Sequence, residues 1–82
     1  MLLAIDVGNT NLTIGLYKGE ELTWHWRLAT DHDRMPDEYA AMLIDLLRYE
    51  NVETSEIKEV ALCSTVPPMI AIFKELCEQY FY

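Results

Sequence analysis

The chain has 82 residues, 51 % of them hydrophobic and 24 % charged, with only three glycines and three prolines. That is one small domain, burying about 60–65 % of the surface its unfolded form exposes, and the composition excludes a disordered, collagenous or low-complexity chain. Six Lys and Arg against fourteen Asp and Glu leave a formal net charge of −8, which excludes attachment to nucleic acid or an anionic membrane by bulk electrostatics. In chain order, residues 2–7 form a nearly continuous apolar run ending at Gly8, the pattern of a mid-sheet strand covered on both faces. Gly8-Asn9-Thr10-Asn11 has turn chemistry, and residues 12–17 then alternate with period two, placing Leu12, Ile14 and Leu16 on one face. After a second turn at residues 18–21, Leu22, Trp24 and Trp26 line one face of a third strand, with Thr23, His25 and Arg27 on its reverse. Residues 1–27 thus read as an antiparallel three-stranded meander.

Residues 28–35 are polar and read as a loop. Pro36, Asp37 and Glu38 suit a helix N-terminus, and Tyr39, Met42, Leu43, Leu46 and Leu47 recur at spacings of three and four. This predicts an amphipathic helix over 36–50 with Asn51 as its stop. Residues 60–63 read as a short buried strand, expected to run parallel to the first. Beyond Pro67-Pro68, the residues Met69, Ile72, Phe73, Leu76, Cys77 and Tyr80 trace a second helical stripe. The order β-β-β-α-β-α ends on apolar aromatics at Gln79-Tyr80-Phe81-Tyr82, so residues 1–82 are expected to be the first part of something larger.

Cys63 and Cys77 are too few and too far apart for a zinc ribbon, a CxxC pair or a disulfide framework. They read as core-type thiols of a reduced, cytoplasmic chain. Asp6 cuts short the opening apolar run, no basic segment precedes it, and no apolar stretch approaches the roughly 20 residues that cross a bilayer. No membrane or nucleic-acid partner is expected.

Chemistry concentrates in the first turn. Asp6 closes the first strand beside a turn whose Gly8 gives conformational freedom, φ > 0 included, and close ligand approach. Its successive N–H groups can converge into an anion nest. The Thr10 hydroxyl and the Asn9 and Asn11 amides add neutral donors. A carboxylate beside such a nest suits Mg²⁺ with a polyphosphate; a plain hairpin with an Asx-type turn fits the spacing equally well. Neither GxxxxGK[ST] nor GxGxxG is present. Arg27, on the polar face of the third strand, either shares the Asp6 edge in a substrate or phosphate role or pairs with Asp31, Asp33 or Glu38. Ser64 should emerge near the Gly8 turn, where pockets form, in a positioning or backbone-shaping role rather than as a nucleophile. His25 and His32 lack metal-ligand spacing, and Trp24 and Trp26 read as core or subunit interface.

These residues carry a family resemblance. Asp6-x-Gly8-x-Thr10 followed by Gly15 resembles the first phosphate motif of the superfamily that joins acetate kinase, sugar kinases, heat-shock ATPases and actin. The fuller string Asp6-Val7-Gly8-Asn9-Thr10-Asn11 resembles the opening of type III pantothenate kinases. Trp26-Arg27-Leu28-Ala29-Thr30-Asp31 is similar to that family's Arg-x-x-Thr stretch, Asp37-Glu38-Tyr39 to its Asp-Glu-Tyr helix start, and Ser64-Thr65-Val66-Pro67-Pro68 to its Ser-Val-Val-Pro segment.

The resemblance implies an α/β, ribonuclease-H-like half-domain with a parallel strand beside the meander. It implies an ATP-dependent, homodimeric kinase of pantothenate, acting in the first step of coenzyme A synthesis with Mg²⁺ and a monovalent cation, K⁺ or NH₄⁺. Asp6 would be the metal-site carboxylate, and Gly8, Asn9, Thr10 and Asn11 the ATP phosphate cradle. The family's general base lies in a Gly-x-Asp-Arg motif, and this chain has no glycine after Gly19. Residues 1–82 are therefore expected to supply the phosphate-binding subdomain without the base, and to be inactive alone. Two alternatives stand beside this reading: a regulatory accessory factor or dimerisation scaffold of the same fold, and another ATPase of the superfamily with a different acceptor.

Overall fold

The computed structural model describes residues 1–81; Tyr82, the last residue of the expected subdomain, lies outside them. Strands β1 (Leu2–Val7), β2 (Asn11–Lys18) and β3 (Glu21–Ala29) precede helix α1 (Pro36–Tyr49). A single 3₁₀ turn (Thr54–Glu56), β4 (Glu59–Ser64) and α2 (Pro67–Tyr80) complete the chain. The expected β-β-β-α-β-α order holds. The sheet order is β3-β2-β1-β4, with β1 antiparallel to β2 and parallel to β4.

Alternation sorts the strands into two faces. Leu3, Ile5 and Val7 of β1 and Leu12, Ile14 and Leu16 of β2 are buried in one cluster with Tyr39, Leu43 and Leu47 of α1 and Met69, Phe73 and Leu76 of α2. Both helices therefore cover the same face. The expectation that β1 is covered on both faces fails: Leu2 and Ala4 are only half-buried and Asp6 is exposed. An apolar run looks the same whether its second face is sealed or left open, because Leu and Ala suit either.

The third strand also departs from expectation. It runs to Ala29 rather than ending at residue 27, and its pairing with β2 shifts by one residue between Leu16 and Tyr17. Leu16 faces Trp24 but Tyr17 faces Leu22, so Thr23 is the extra residue of a bulge. The slip turns Leu22 away from Trp24 and Trp26. Leu22 lies on the open face, 46 % exposed, whereas both tryptophans pack against the core.

Helix α1 is bounded by its own sequence. Glu38 reaches back to accept the Met35 N–H at 2.9 Å, satisfying a free donor of the first turn. At the other end Asn51 adopts φ 58°, with Asn51 N–H donating to the Arg48 carbonyl at 2.9 Å and Val52 N–H to Leu47 at 2.9 Å. This is a Schellman ending, sealed by buried Val52 over Leu47. Among the described residues no helix is long and apolar enough to cross a membrane, and both cysteines are free thiols, Cys63 exposed rather than buried in the core as expected and Cys77 buried.

Two outcomes follow from this packing. Asn51→Val, forcing a β-branched side chain into the left-handed region, should lower unfolding free energy by about 1–2 kcal/mol in denaturant titration, while Asn51→Gly should not. Burial, with a smaller contribution from Glu78, pushes the Cys77 thiol from 9.0 up to about 11. The unfolded chain then loses this proton first, so stability falls as pH rises from 9 through 11. Melting temperatures across that window should fall more steeply in the native protein than in Cys77→Ala.

Candidate phosphate-binding turn

The register brings the polar residues into line. Asp6 lies opposite Thr13 on one side and Cys63 on the other, and Thr13 lies opposite Arg27. Cys63, Asp6, Thr13 and Arg27 thus form one row across all four strands on the open face. The next row, Ala61, Ala4, Gly15 and His25, is mostly small. Its low profile leaves a trough of about 340 Å³ edged by Asp6, Thr13, Cys63, Tyr17, Leu22 and His25.

The Asp6–Thr13 pair of the row lies next to the β1–β2 turn. Gly8 N–H donates to the Asn11 carbonyl at 2.8 Å, and Asn9 and Thr10 form the exposed tip. Gly8 is required here, but not for a left-handed φ: among the described residues only Gly19 and Asn51 have positive φ. A Cβ on Gly8 would stand 2.9 Å from the Asn11 carbonyl oxygen, closer than real Cβ atoms come to backbone. The glycine admits the returning strand rather than an unusual dihedral angle.

The Gly8 and Thr10 carbonyls of this turn are taken up. The Thr30 hydroxyl donates to the Gly8 carbonyl at 2.9 Å and Thr30 N–H to the Thr10 carbonyl at 2.9 Å. With its amide oriented so that both ends find complementary partners, Asn11 donates to the Thr10 carbonyl at 3.2 Å and accepts from Arg27 Nη2 at 3.1 Å. The amides are left over. Among the described residues neither Asn9 N–H nor Thr10 N–H has a protein acceptor. Two free donors at an exposed tip, flanked by Gly8 and Thr10 carbonyls that are held elsewhere, suit an anion.

The structure therefore brings together Asp6, Gly8, Asn9, Thr10, Asn11 and Arg27. Of the two roles open to Arg27, it lies on the Asp6 face and touches the turn through Asn11. Ser64 is elsewhere. It pairs with Val7 on the helix-covered side, where its hydroxyl lies 3.1 Å from the Val7 carbonyl and 3.2 Å from the Val66 carbonyl and accepts Val66 N–H at 3.0 Å. That geometry is backbone shaping: it ends β4 and opens the approach to α2. His25 and His32 are exposed, and no three metal-ligating side chains come together among the described residues.

Residue reading missed Thr13 and Thr30. Thr13 joins the row only once β1 and β2 are registered. Thr30 lies in a segment whose composition reads as loop; its only signal is the threonine of the Arg27–Thr30 stretch.

A family profile described as type III pantothenate kinase matches residues 2–82. The chain is 48 % identical over 80 residues to a protein of Syntrophotalea carbinolica named type III pantothenate kinase, covering 98 % of this chain and 31 % of that protein. Proteins of the same name from Dehalococcoides mccartyi and Roseiflexus castenholzii are 41 % and 44 % identical, over 98 % and 99 % of this chain and 30 % and 32 % of theirs. The chain spans about a third of the length of the curated relatives it matches.

Gly8→Ala should force the Asn11 carbonyl away and open the turn. Unfolding free energy is expected to fall by about 1–3 kcal/mol, with hydrogen exchange accelerated at the turn and not at Asn51. Unchanged exchange at the turn would mean that the backbone accommodates the methyl group.

Proposed function

The chain belongs to the type III pantothenate kinase family, and on that footing we propose that the protein transfers the terminal phosphoryl group of ATP to the alcohol of pantothenate, the entry step of coenzyme A synthesis, as a cytoplasmic homodimer. In this reading residues 1–82 are the ATP-phosphate-binding subdomain. The observation that carries it is the polarity of the β1–β2 turn, with free Asn9 and Thr10 amides beside an exposed carboxylate.

Phosphoryl transfer spreads charge over the oxygens of the moving group, so a protein accelerates it mainly by positioning and by fixed donors aimed at that charge. The Asn9 and Thr10 N–H groups, the Thr10 hydroxyl and Gly8's closeness to the ligand provide the cradle. Asn11 turns its side chain inward and carries Arg27 toward the same rim, where the guanidinium adds positive charge that a phosphate can share.

Asp6 suits the Mg²⁺ that accompanies a nucleotide. Its carboxylate offers hard oxygens, is exposed and accepts no hydrogen bond among the described residues. It can be one ligand, with phosphate and water oxygens supplying the rest. The bound cation would neutralise phosphate charge; Asp6 would hold it directly or through water at the cradle's edge. The monovalent cation is assigned no residue of this chain, because the Thr10 carbonyl already accepts two hydrogen bonds and the Gly8 carbonyl one. Deprotonation of the alcohol is assigned to a residue outside these 82, in keeping with the missing Gly-x-Asp-Arg motif.

The test is ATP consumption by the full-length protein with and without pantothenate. Pantothenate-dependent ADP release is expected; release that ignores pantothenate, or none, would remove the acceptor assignment. In the same assay Asp6→Ala should lose at least about 3 kcal/mol of transition-state stabilisation, a hundredfold or more in kcat. Near-normal kcat would reduce Asp6 to a turn residue.

A further inference from the structure

The segment linking β3 to α1 runs back under the turn that the proposed function rests on. From the geometry we propose that Thr30 is a positioning residue for nucleotide binding: its hydroxyl fixes the direction in which the Asn9 amide points. In a trans peptide unit the C=O and the following N–H point in opposite directions. The Gly8 carbonyl and the Asn9 N–H belong to one such unit. The Thr30 hydroxyl holds that carbonyl at 2.9 Å from the side of the sheet edge, so the Asn9 N–H is aimed outward. Thr30 N–H holds the Thr10–Asn11 peptide in place through the Thr10 carbonyl at 2.9 Å.

Without the hydroxyl, the Gly8–Asn9 unit is the one free to rotate, since glycine has no Cβ to resist it. Rotation would present a carbonyl where the phosphate expects a donor. The exchange is unfavourable twice over, because an attraction is lost and a repulsion replaces it.

Thr30 is itself held in place. The next residue, Asp31, donates its N–H to the Tyr39 hydroxyl at 2.8 Å and accepts from it through its carbonyl at 2.7 Å. Tyr39 is fully buried in α1, with its ring 4.9 Å from that of Phe73. A continuous path of hydrogen bonds and packing thus runs from the two-helix core through Tyr39, Asp31 and Thr30 to the turn carbonyls.

The experiment compares Thr30→Val, which keeps the shape and removes the donor, with Thr30→Ser, which keeps the donor, in the full-length protein. Two readouts are taken: the Kd for Mg-ADP by calorimetry, and hydrogen exchange of the Gly8 amide in the unliganded protein. Thr30→Val should weaken ADP about tenfold or more and accelerate Gly8 exchange, with KM for pantothenate unchanged. Thr30→Ser should restore both readouts to near the native values. Equal losses in Val and Ser, or accelerated exchange with unchanged ADP affinity, would overturn the proposal. Native protein that binds ADP but leaves pantothenate unphosphorylated would sink the acceptor assignment alone, leaving the role of Thr30 to be decided by these same two readouts.

Discussion

The placement of every functional group depends on β1 being hydrogen-bonded on both sides. Pairing antiparallel with β2 and parallel with β4 fixes Val7 opposite Leu12 and Ser64, and a one-residue slip in either ladder would move every side chain to the other face. The buried set of Leu3, Ile5, Val7, Leu12, Ile14 and Leu16 opposes a slip between β1 and β2, because it would turn the three inward side chains of one strand into water. The apolar face therefore does the work of aiming the polar one. Asp6 reaches the open side because its neighbours Ile5 and Val7 cannot.

The turn at the end of that strand is built by subtraction. A two-residue tip exposes both donors and acceptors, and an anion site needs the acceptors removed. Here Thr30 and Asn11 take up the flanking Gly8 and Thr10 carbonyls by hydrogen bonding. A plain hairpin would have no such need, since water satisfies an exposed carbonyl at little cost. Three hydrogen bonds to the Gly8 and Thr10 carbonyls fix the orientation of the peptide units those carbonyls belong to.

Membership of a kinase family and an overall charge of −8 are compatible because, Asp6 apart, most of the acid lies in other parts of the chain. Residues 1–30 carry three acids and two bases, residues 31–82 eleven acids and four bases. Most of the negative charge sits on the helices and their connections, and Arg27 is held beside the turn by Asn11. At physiological salt the screening length is about 8 Å, so local composition around the turn outweighs the net figure.

Much was legible in the residues themselves. The helix over 36–50, its stop at Asn51 and the stripe from Met69 to Tyr80 follow from spacing and cap chemistry, which are local and need no tertiary information. The Asp6–Asn11 string carried both the turn and the family resemblance. What only the tertiary structure decided was relational. The bulge at Thr23 that turns Leu22 to the open face, the rank of Asp6, Thr13 and Arg27 across three strands, and the grip of Thr30 on Gly8 join residues 5 to 22 positions apart. Neighbouring residues declare periodicity, but which carbonyl a distant hydroxyl meets is set by strand register, and register is a property of the packed sheet.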